Sequence, residues 1–376
     1  MINLPYSGHT NPTLPLTEML VRKGHNVTYI NAESFRGKIE RTGARFVPYN
    51  DFPVGLSDQK IKCGCFRAAY DTAMALDEQY DILIYEMFFY PGIDIAQRKG
   101  IPCVRQFSQP AWSQRTFEEA SPVFRISAKL IDSQVMNRKN RRTINVQRKM
   151  ADAVVNDKPN LNIVYVPEEF QKHREDFGND YTFTVPPQQA HSCDTVIPYE
   201  EMRHPIVYIS LGSIISNRGF CKECIRAFGR KDMSVILNTG NIAPESLGRI
   251  PDNIYAYSFV PQIEVLEHAD VFLTHCGMNS VNESLLAGVP MVAMPFVNDQ
   301  TENAKRIVEL GIGKRVRSFP SRGRELYRAV CEVYNDEKIN RQSKELSGHI
   351  KDCEDWEAVI SEIENAARKK TTETTA

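Results

Sequence analysis

Short apolar runs alternate with amphipathic stretches along most of this chain, and the whole pattern occurs twice. In the first series Leu14 to Arg22 has helical spacing, Gly24-His25 stops it, and Val27-Thr28-Tyr29-Ile30 reads as a strand. A helix is predicted over roughly 33–42, then a strand at Arg45-Phe46-Val47. Ile82-Leu83-Ile84-Tyr85 follows as a strand after a helix ending near Gln79, Gly92 to Arg98 as a helix, and Pro102-Cys103-Val104 opens another strand. Residues 186–205, rich in Pro and polar side chains, interrupt the series as a linker does. A second series runs through Ile206–Ser210, Ser234–Leu237, Ile254–Tyr257, Val271–Thr274 and Met291–Met294. Such alternation requires βαβ units with right-handed crossovers and parallel sheets. The fold class is therefore α/β, as two doubly wound domains, and a cleft between domains is a usual place for ligands. The predicted division is 1–195, 196–353, and a last segment, 354–376, whose helical stretch packs back on the first domain. The opening strand, Ile2-Asn3-Leu4-Pro5, is unusually short.

Composition removes several classes of function. With 46 Lys and Arg against 47 Asp and Glu, the formal net charge is −1, which argues against a dedicated nucleic-acid binder. Hydrophobic residues at 42% and charged residues at 25% are those of a globular chain, not a disordered one. No apolar run reaches the ~18 residues of a membrane span, and the N-terminus lacks the charged and apolar regions of a signal peptide. Nine scattered cysteines, an odd number, point to reduced thiols and a cytoplasmic location rather than to a disulfide framework. Cys221-x-x-Cys224 has no partner motif at zinc-finger spacing and reads as two ordinary thiols on a helix. Residues 113–150 read as a helical insertion with a basic cluster, Arg138-Lys139-Asn140-Arg141-Arg142. A solvated helix face is the main reading of that cluster; a peripheral contact with an anionic membrane is the lesser one.

Four loops at the carboxyl ends of predicted strands carry the chemistry, where open α/β sheets hold ligands. Gly8-His9-Thr10-Asn11-Pro12 sets a histidine near a helix start. Ser210-Leu211-Gly212-Ser213 combines small residues that let a backbone approach a ligand with a hydroxyl for a phosphate oxygen. In Thr274-His275-Cys276-Gly277-Met278-Asn279-Ser280, a strand ends, a glycine turns, and a helix begins near Asn279-Ser280, as a diphosphate site requires. Glu283 shares a face with Asn279 and Ser280; its carboxylate either accepts from two ribose hydroxyls or caps the helix with Ser280. Phe296-Val297-Asn298-Asp299-Gln300 offers an Asp-Gln pair for sugar hydroxyls. No GxGxxG follows a strand and no GxxxxGK[ST] occurs, so nicotinamide enzymes and P-loop kinases lack their fingerprints.

The segment FVPQIEVLEHADVFLTHCGMNSVNESLLAGVPMVAMPFVNDQTENAKRIVELGIGKRV resembles the donor-binding region of the UDP-glycosyltransferases, most of all their bacterial macrolide glycosyltransferase branch. NLPYSGHTNPTLPLTEMLVRKGHNVTYI and YDILIYEMFFYPGIDIAQRKGIPCVRQF are similar to the same branch. The resemblance covers most of the chain and weakens within roughly 113–150. It implies the GT-B fold, two facing Rossmann-like domains with an interdomain cleft. The first domain would hold the acceptor and the second the UDP-sugar. It implies inverting transfer of a sugar, glucose by preference, from a UDP-sugar to a hydroxyl of a small hydrophobic natural product, antibiotic or polyphenol. No metal and no cofactor is expected; the UDP-sugar is a co-substrate.

Position by position, His9 matches the family's catalytic base. The family's partner Asp is replaced here by Glu86; an aspartate put back at 86 is expected to keep or raise activity if the carboxylate supports His9. Ser213, His275, Gly277, Asn279 and Ser280 match diphosphate positions, Gln262 and Glu283 nucleoside positions, and Asp299 and Gln300 the sugar-reading pair. Val260 would meet uracil through its backbone, with Phe259 where plant relatives have Trp. Phe88, Phe89, Phe107 and Trp112 are candidates for the acceptor pocket, or ordinary core aromatics. The alternatives are a lipid-acceptor transferase, a nucleotide-sugar epimerase, and a non-catalytic partner protein with a damaged His9–Glu86 pair.

Overall fold

One residue does the work of the first strand. Ile2 bridges Ile30 on one side and Tyr85 on the other, both in parallel sense. Its amide donates to Ile84 and its carbonyl accepts from Glu86, while the Met1 carbonyl accepts from Ile30 and the Met1 amine donates to Thr28. Pro5 has no N–H for a longer ladder, so the chain turns away after Leu4. The structure is a computed structural model describing residues 1–135, 144, 148–188, 195–212, 217–296, 299–317 and 323–368. Ser213 and the basic cluster Arg138–Arg142 lie outside the described residues.

The chain divides into two compact units, Met1–Pro187 with Asp355–Ala376, and Gln188–Glu354. The first contains α1 (Ser7–Thr10), α2 (Leu14–Arg22), β1 (Thr28–Asn31), α3 (Arg36–Glu40), β2 (Arg45–Pro48), α4 (Asp58–Ala75), β3 (Leu83–Glu86), α5 (Gly92–Lys99) and β4 (Cys103–Phe107). It continues with α6 (Gln114–Glu119), α7 (Pro122–Val135), α8 (Met150–Asn156), β5 (Leu161–Val164) and β6 (Tyr181–Phe183). β1 pairs with β2, and β3-β4-β5-β6 form a parallel sheet that Ile2 joins to them. The helix expected to end near Gln79 is α4, which stops at Ala75 because Leu76 is already extended. The helix expected over 33–42 divides into a 3-10 turn, Glu33–Phe35, and α3.

The second unit contains β7 (Ile206–Ser210), α9 (Arg218–Phe228), β8 (Ser234–Asn238), β9 (Ile254–Tyr257), α10 (Gln262–His268), β10 (Val271–Thr274) and α11 (Met278–Ala287). β11 (Met291–Ala293), α12 (Gln300–Glu309), β12 (Gly313–Arg315), α13 (Gly323–Tyr334) and α14 (Glu337–Cys353) complete it. Its six parallel strands run in the order β12-β11-β10-β7-β8-β9. The central strands β7 and β10 are buried along their length, as expected of a sheet covered by helices on both faces. Cys221 and Cys224 lie in the core under α9 with Phe220, Phe228 and Leu326.

A last helix, α15 (Trp356–Arg368), belongs to the first unit. Its Val359, Ile360 and Ile363 pack with Leu16 and Leu20 of α2 and with Ile84, Val104 and Ile163 of three neighbouring strands. The Trp356 indole N–H donates to the Val185 carbonyl at 3.1 Å.

Candidate active site

In each sheet the candidate residues gather where the strand order reverses. Ile2 stands between β1 and β3; the loop after it carries His9, and Glu86 ends β3. β7 and β10 are neighbours in the second sheet, and their loops carry Gly212 and His275–Gly277. Such a reversal opens a crevice at the strand ends, into which ligands fit.

Buried polar side chains shape the turn that bears His9. Asn3 Nδ2 donates to the His9 carbonyl at 3.0 Å. Thr10 Oγ1 donates to the Leu4 carbonyl at 2.9 Å and accepts from Asn31 Nδ2 at 3.0 Å. Glu86 is fully buried, and both its oxygens are satisfied. Oε1 lies 3.0 Å from His9 Nδ1, and Oε2 accepts from the Phe88 amide at 3.0 Å. A carboxylate removed from water needs such partners. The extra methylene of glutamate is taken up by bending the carboxylate back over its own turn, where it still reaches the imidazole. The pair favours the tautomer with the proton on Nδ1, leaving Nε2 as the basic nitrogen. Ser108 Oγ approaches the same Nδ1 at 3.4 Å. The His9 side chain keeps 25% exposure, enough for a substrate to reach it.

Aromatic rings continue from this pair. Phe88 meets His9 edge-on at 5.5 Å and Trp112 at 5.6 Å; Trp112 in turn meets Phe117 at 5.4 Å and Phe124 at 5.3 Å. Phe89 and Phe107 do not join them. In the turn after β3, Phe89 faces inward against Phe66 and is fully buried. Phe107 is enclosed between Tyr181 and the Arg105 guanidinium. Of the four aromatics named as acceptor candidates, Phe88 adjoins the histidine and Trp112 packs against Phe88, while Phe89 and Phe107 belong to the core.

In the second unit the His275 ring fits between two glycines. A Cβ on Gly212 or on Gly277 would come within 2.5 Å of it, and Gly212 has φ +72°. Burial pushes the His275 pKa down to about 4, against a backbone hydrogen bond at Ser210 that acts the other way. The imidazole is therefore neutral at physiological pH. Gly277 occupies the cap position of α11 and has no side chain to cap with, so the first-turn N–H groups remain for an anion. Asn279 is half-buried on that first turn.

Ser280 is inside the helix, not at its cap, which removes the capping-pair reading of Ser280 and Glu283. Instead, Gln262 Nε2 donates to Ser280 Oγ at 3.0 Å and to Glu283 Oε2 at 2.5 Å, while Gln262 Oε1 accepts from the buried Tyr208 hydroxyl at 2.9 Å. Burial raises the Glu283 pKa to about 7, partly offset by the Gln262 hydrogen bond. Val260 is buried, Phe259 is exposed, and the Phe259 carbonyl accepts from Thr195 Oγ1 at 3.4 Å. Asp299 precedes α12; Gln300 Oε1 accepts from the Phe296 amide at 2.9 Å. Sequence reasoning missed Asn3, Asn31 and Tyr208. The signal that would have found Asn3 and Asn31 is a polar residue within a strand-like apolar run.

With this geometry in view, comparison with known proteins identifies the family. Residues 141–354 match the family described as "UDP-glucoronosyl and UDP-glucosyl transferase". NDP-glycosyltransferase YjiC of Bacillus licheniformis is 31% identical, over 97% of this chain and 96% of its own length. Oleandomycin glycosyltransferase of Streptomyces antibioticus is 26% identical, over 93% of this chain and 86% of its own. The crystal structure of the glycotransferase of kitacinnamycin superposes with a TM-score of 0.82 at 28% identity, covering 97% of this chain and 98% of that one. The calicheamicin glycosyltransferase CalG4 shares the fold, with a TM-score of 0.82 at 23% identity, over 99% of this chain and 98% of its own. The chain belongs to the UDP-glucuronosyl and UDP-glucosyl transferase family. It is a UDP-glycosyltransferase of GT-B fold, related to the macrolide glycosyltransferases. No helix among the described residues is long and apolar enough to cross a membrane.

Proposed function

We propose that this enzyme transfers glucose from UDP-glucose, with inversion and without a metal, to a hydroxyl of a small hydrophobic natural product such as an antibiotic or polyphenol. The observation that carries the reading is the His9–Glu86 pair, with its 3.0 Å contact and its second carboxylate oxygen held by Phe88. In the proposed reaction His9 Nε2 takes the proton of the acceptor hydroxyl. The acceptor oxygen forms its bond to the anomeric carbon as the bond from that carbon to the β-phosphate oxygen breaks, and the electron pair leaves with UDP. Glu86 stabilises the imidazolium that results, as a triad carboxylate does. A base so positioned contributes typically ~10²–10⁴-fold.

Charge developing on the leaving UDP would be met by the first turn of α11 and by the neutral His275, fixed dipoles that need no reorganisation. Glu283 and Gln262 would take the ribose and nucleoside, and Asp299 and Gln300 the hexose hydroxyls. Ser213, outside the described residues, is proposed as a further diphosphate contact. The edge-on series Phe88–Trp112–Phe124 supports an apolar acceptor, and the names of the antibiotic glycosyltransferases among the relatives point the same way. The complete pair, a buried Glu86 carboxylate held against a partly exposed His9, favours an enzyme over a non-catalytic partner. The test is UDP release from UDP-glucose with EDTA present, against a panel of phenolic and macrolide acceptors. Acceptor-dependent release, with a product heavier by one hexose, is expected. Silence across the panel while UDP still binds by calorimetry rejects glucose transfer to these acceptor classes.

A further inference from the structure

The turn between β10 and α11 contains a backbone conformation that its residue type disfavours. Cys276 has φ +67°, in the left-handed region, and is completely buried. A Cβ crowds the following carbonyl in that region, and such residues persist only where their surroundings hold them. Two holding contacts are local: the Cys276 amide donates to Thr274 Oγ1 at 3.2 Å, and Cys276 Sγ to the Thr274 carbonyl at 3.6 Å. The third comes from the next helix. Asn303 on α12, 1% exposed, donates through Nδ2 to the Cys276 carbonyl at 3.0 Å. The same Nδ2 lies 3.3 Å from Asp299 Oδ2.

We propose that Asn303 is a positioning residue that locks the His275–Gly277 turn in its donor-binding shape and ties it to Asp299. The proposal rests on the reading above, that this turn takes the donor diphosphate. An amide nitrogen suits the task because its two protons serve two acceptors at once. An aspartate here would set a third oxygen against them, and an alanine would leave a buried carbonyl unmet. Without the lock the Cys276 peptide can leave the left-handed region. Gly277 and the first turn of α11 would move with it, and the His275 ring would lose one wall.

The test is UDP affinity by calorimetry for four chains: wild type, Asn303→Ala, Cys276→Gly, and the double variant, each with its melting temperature. Asn303→Ala is expected to weaken UDP binding about tenfold, the size of one buried group left unpaired. Glycine adopts the left-handed conformation freely. In the Cys276→Gly background the loss on removing Asn303 should therefore shrink to less than about threefold. A role confined to packing α12 predicts no such rescue. Wild-type affinity in Asn303→Ala, or an undiminished loss in the glycine background, overturns the proposal. Should Asn303→Ala not fold, Asn303→Ser, too short to reach the carbonyl, is judged by the same two criteria. Failure of the wild type itself to bind UDP overturns the donor reading instead, and the proposal with it.

Discussion

Replacing Glu86 by glutamine changes one atom of the pair at His9 and nothing of its shape. In the native chain two donors, His9 Nδ1 and the Phe88 amide, each approach one carboxylate oxygen at 3.0 Å. Glutamine offers one acceptor and one donor. If its oxygen faces His9, its NH2 opposes the Phe88 N–H. If its oxygen stays on Phe88, its NH2 faces Nδ1 and selects the tautomer with the proton on Nε2, which is no base. Both orientations remove the charge that stabilises the imidazolium, and the second removes the basic tautomer as well. We expect Glu86→Gln to lower turnover ~10²–10⁴-fold, about 2.7–5.4 kcal/mol of barrier. UDP affinity should be unchanged, because the residues proposed to hold the donor belong to the second unit. The assay is initial rates of UDP release at saturating acceptor, with UDP titrated by calorimetry. A Glu86→Gln enzyme within threefold of wild type would refute the pair as the catalytic base and its partner. Glu86→Asp withdraws the carboxylate by about 1.5 Å and stretches a 3.0 Å contact past hydrogen-bonding range. That variant is expected to lose roughly tenfold, about 1.4 kcal/mol, which reverses the expectation drawn from the family's own aspartate.

Three further outcomes follow from groups already described. Gly212→Ala should lose both stability and UDP affinity, since its Cβ would come 2.5 Å from the His275 ring at a φ of +72°; wild-type UDP affinity in this variant would disprove the close fit. Burial raises the Glu283 pKa from 4.5 to about 7, so the folded state loses stability as pH rises from 4.5 to 7, by roughly 3 kcal/mol. Glu283→Gln keeps the acceptor for Gln262 and should melt above wild type at pH 8 but together with it at pH 4.5; a gap that ignores pH contradicts the assignment. His275, held near 4 against an ordinary 6.5, makes the folded state lose stability as pH falls from 6.5 to 4, by roughly 3 kcal/mol. Melting curves of His275→Gln should be flatter over that acid range, and an unchanged slope would count against the buried neutral ring.

The repeated strand–helix alternation was legible because buried parallel strands are short apolar runs, as in Ile206–Ser210 and Val271–Thr274. β12 escaped notice because Gly313-Lys314-Arg315 is an edge strand whose lysine and arginine are partly exposed. The Phe88–Phe89 pair shows the limit of composition. Two adjacent identical residues have opposite fates, one beside His9 and one in the core, and only the direction of each side chain separates them. His9, His275 and Glu283 were legible because each follows a recognisable strand end or helix start. Asn303 was not, since its meaning depends on a left-handed Cys276 that lies 27 residues away in sequence. Asn3 presents the same difficulty: a polar residue in an apolar run looks like a defect until the His9 carbonyl is seen against it.

The position of α15 has a consequence for biosynthesis. The first unit is assembled from both ends of the chain, and Val359, Ile360 and Ile363 cover an apolar face made by Leu16, Leu20, Ile84, Val104 and Ile163. A ribosome delivers residues up to Pro187 well before it delivers Trp356, so that face waits uncovered while the whole second unit is being made. Nascent chains of this length are therefore natural clients for chaperones that shield apolar surface. A fragment ending at Pro187 should aggregate on its own, and a linker that joins 355–368 directly to it should return it to solution.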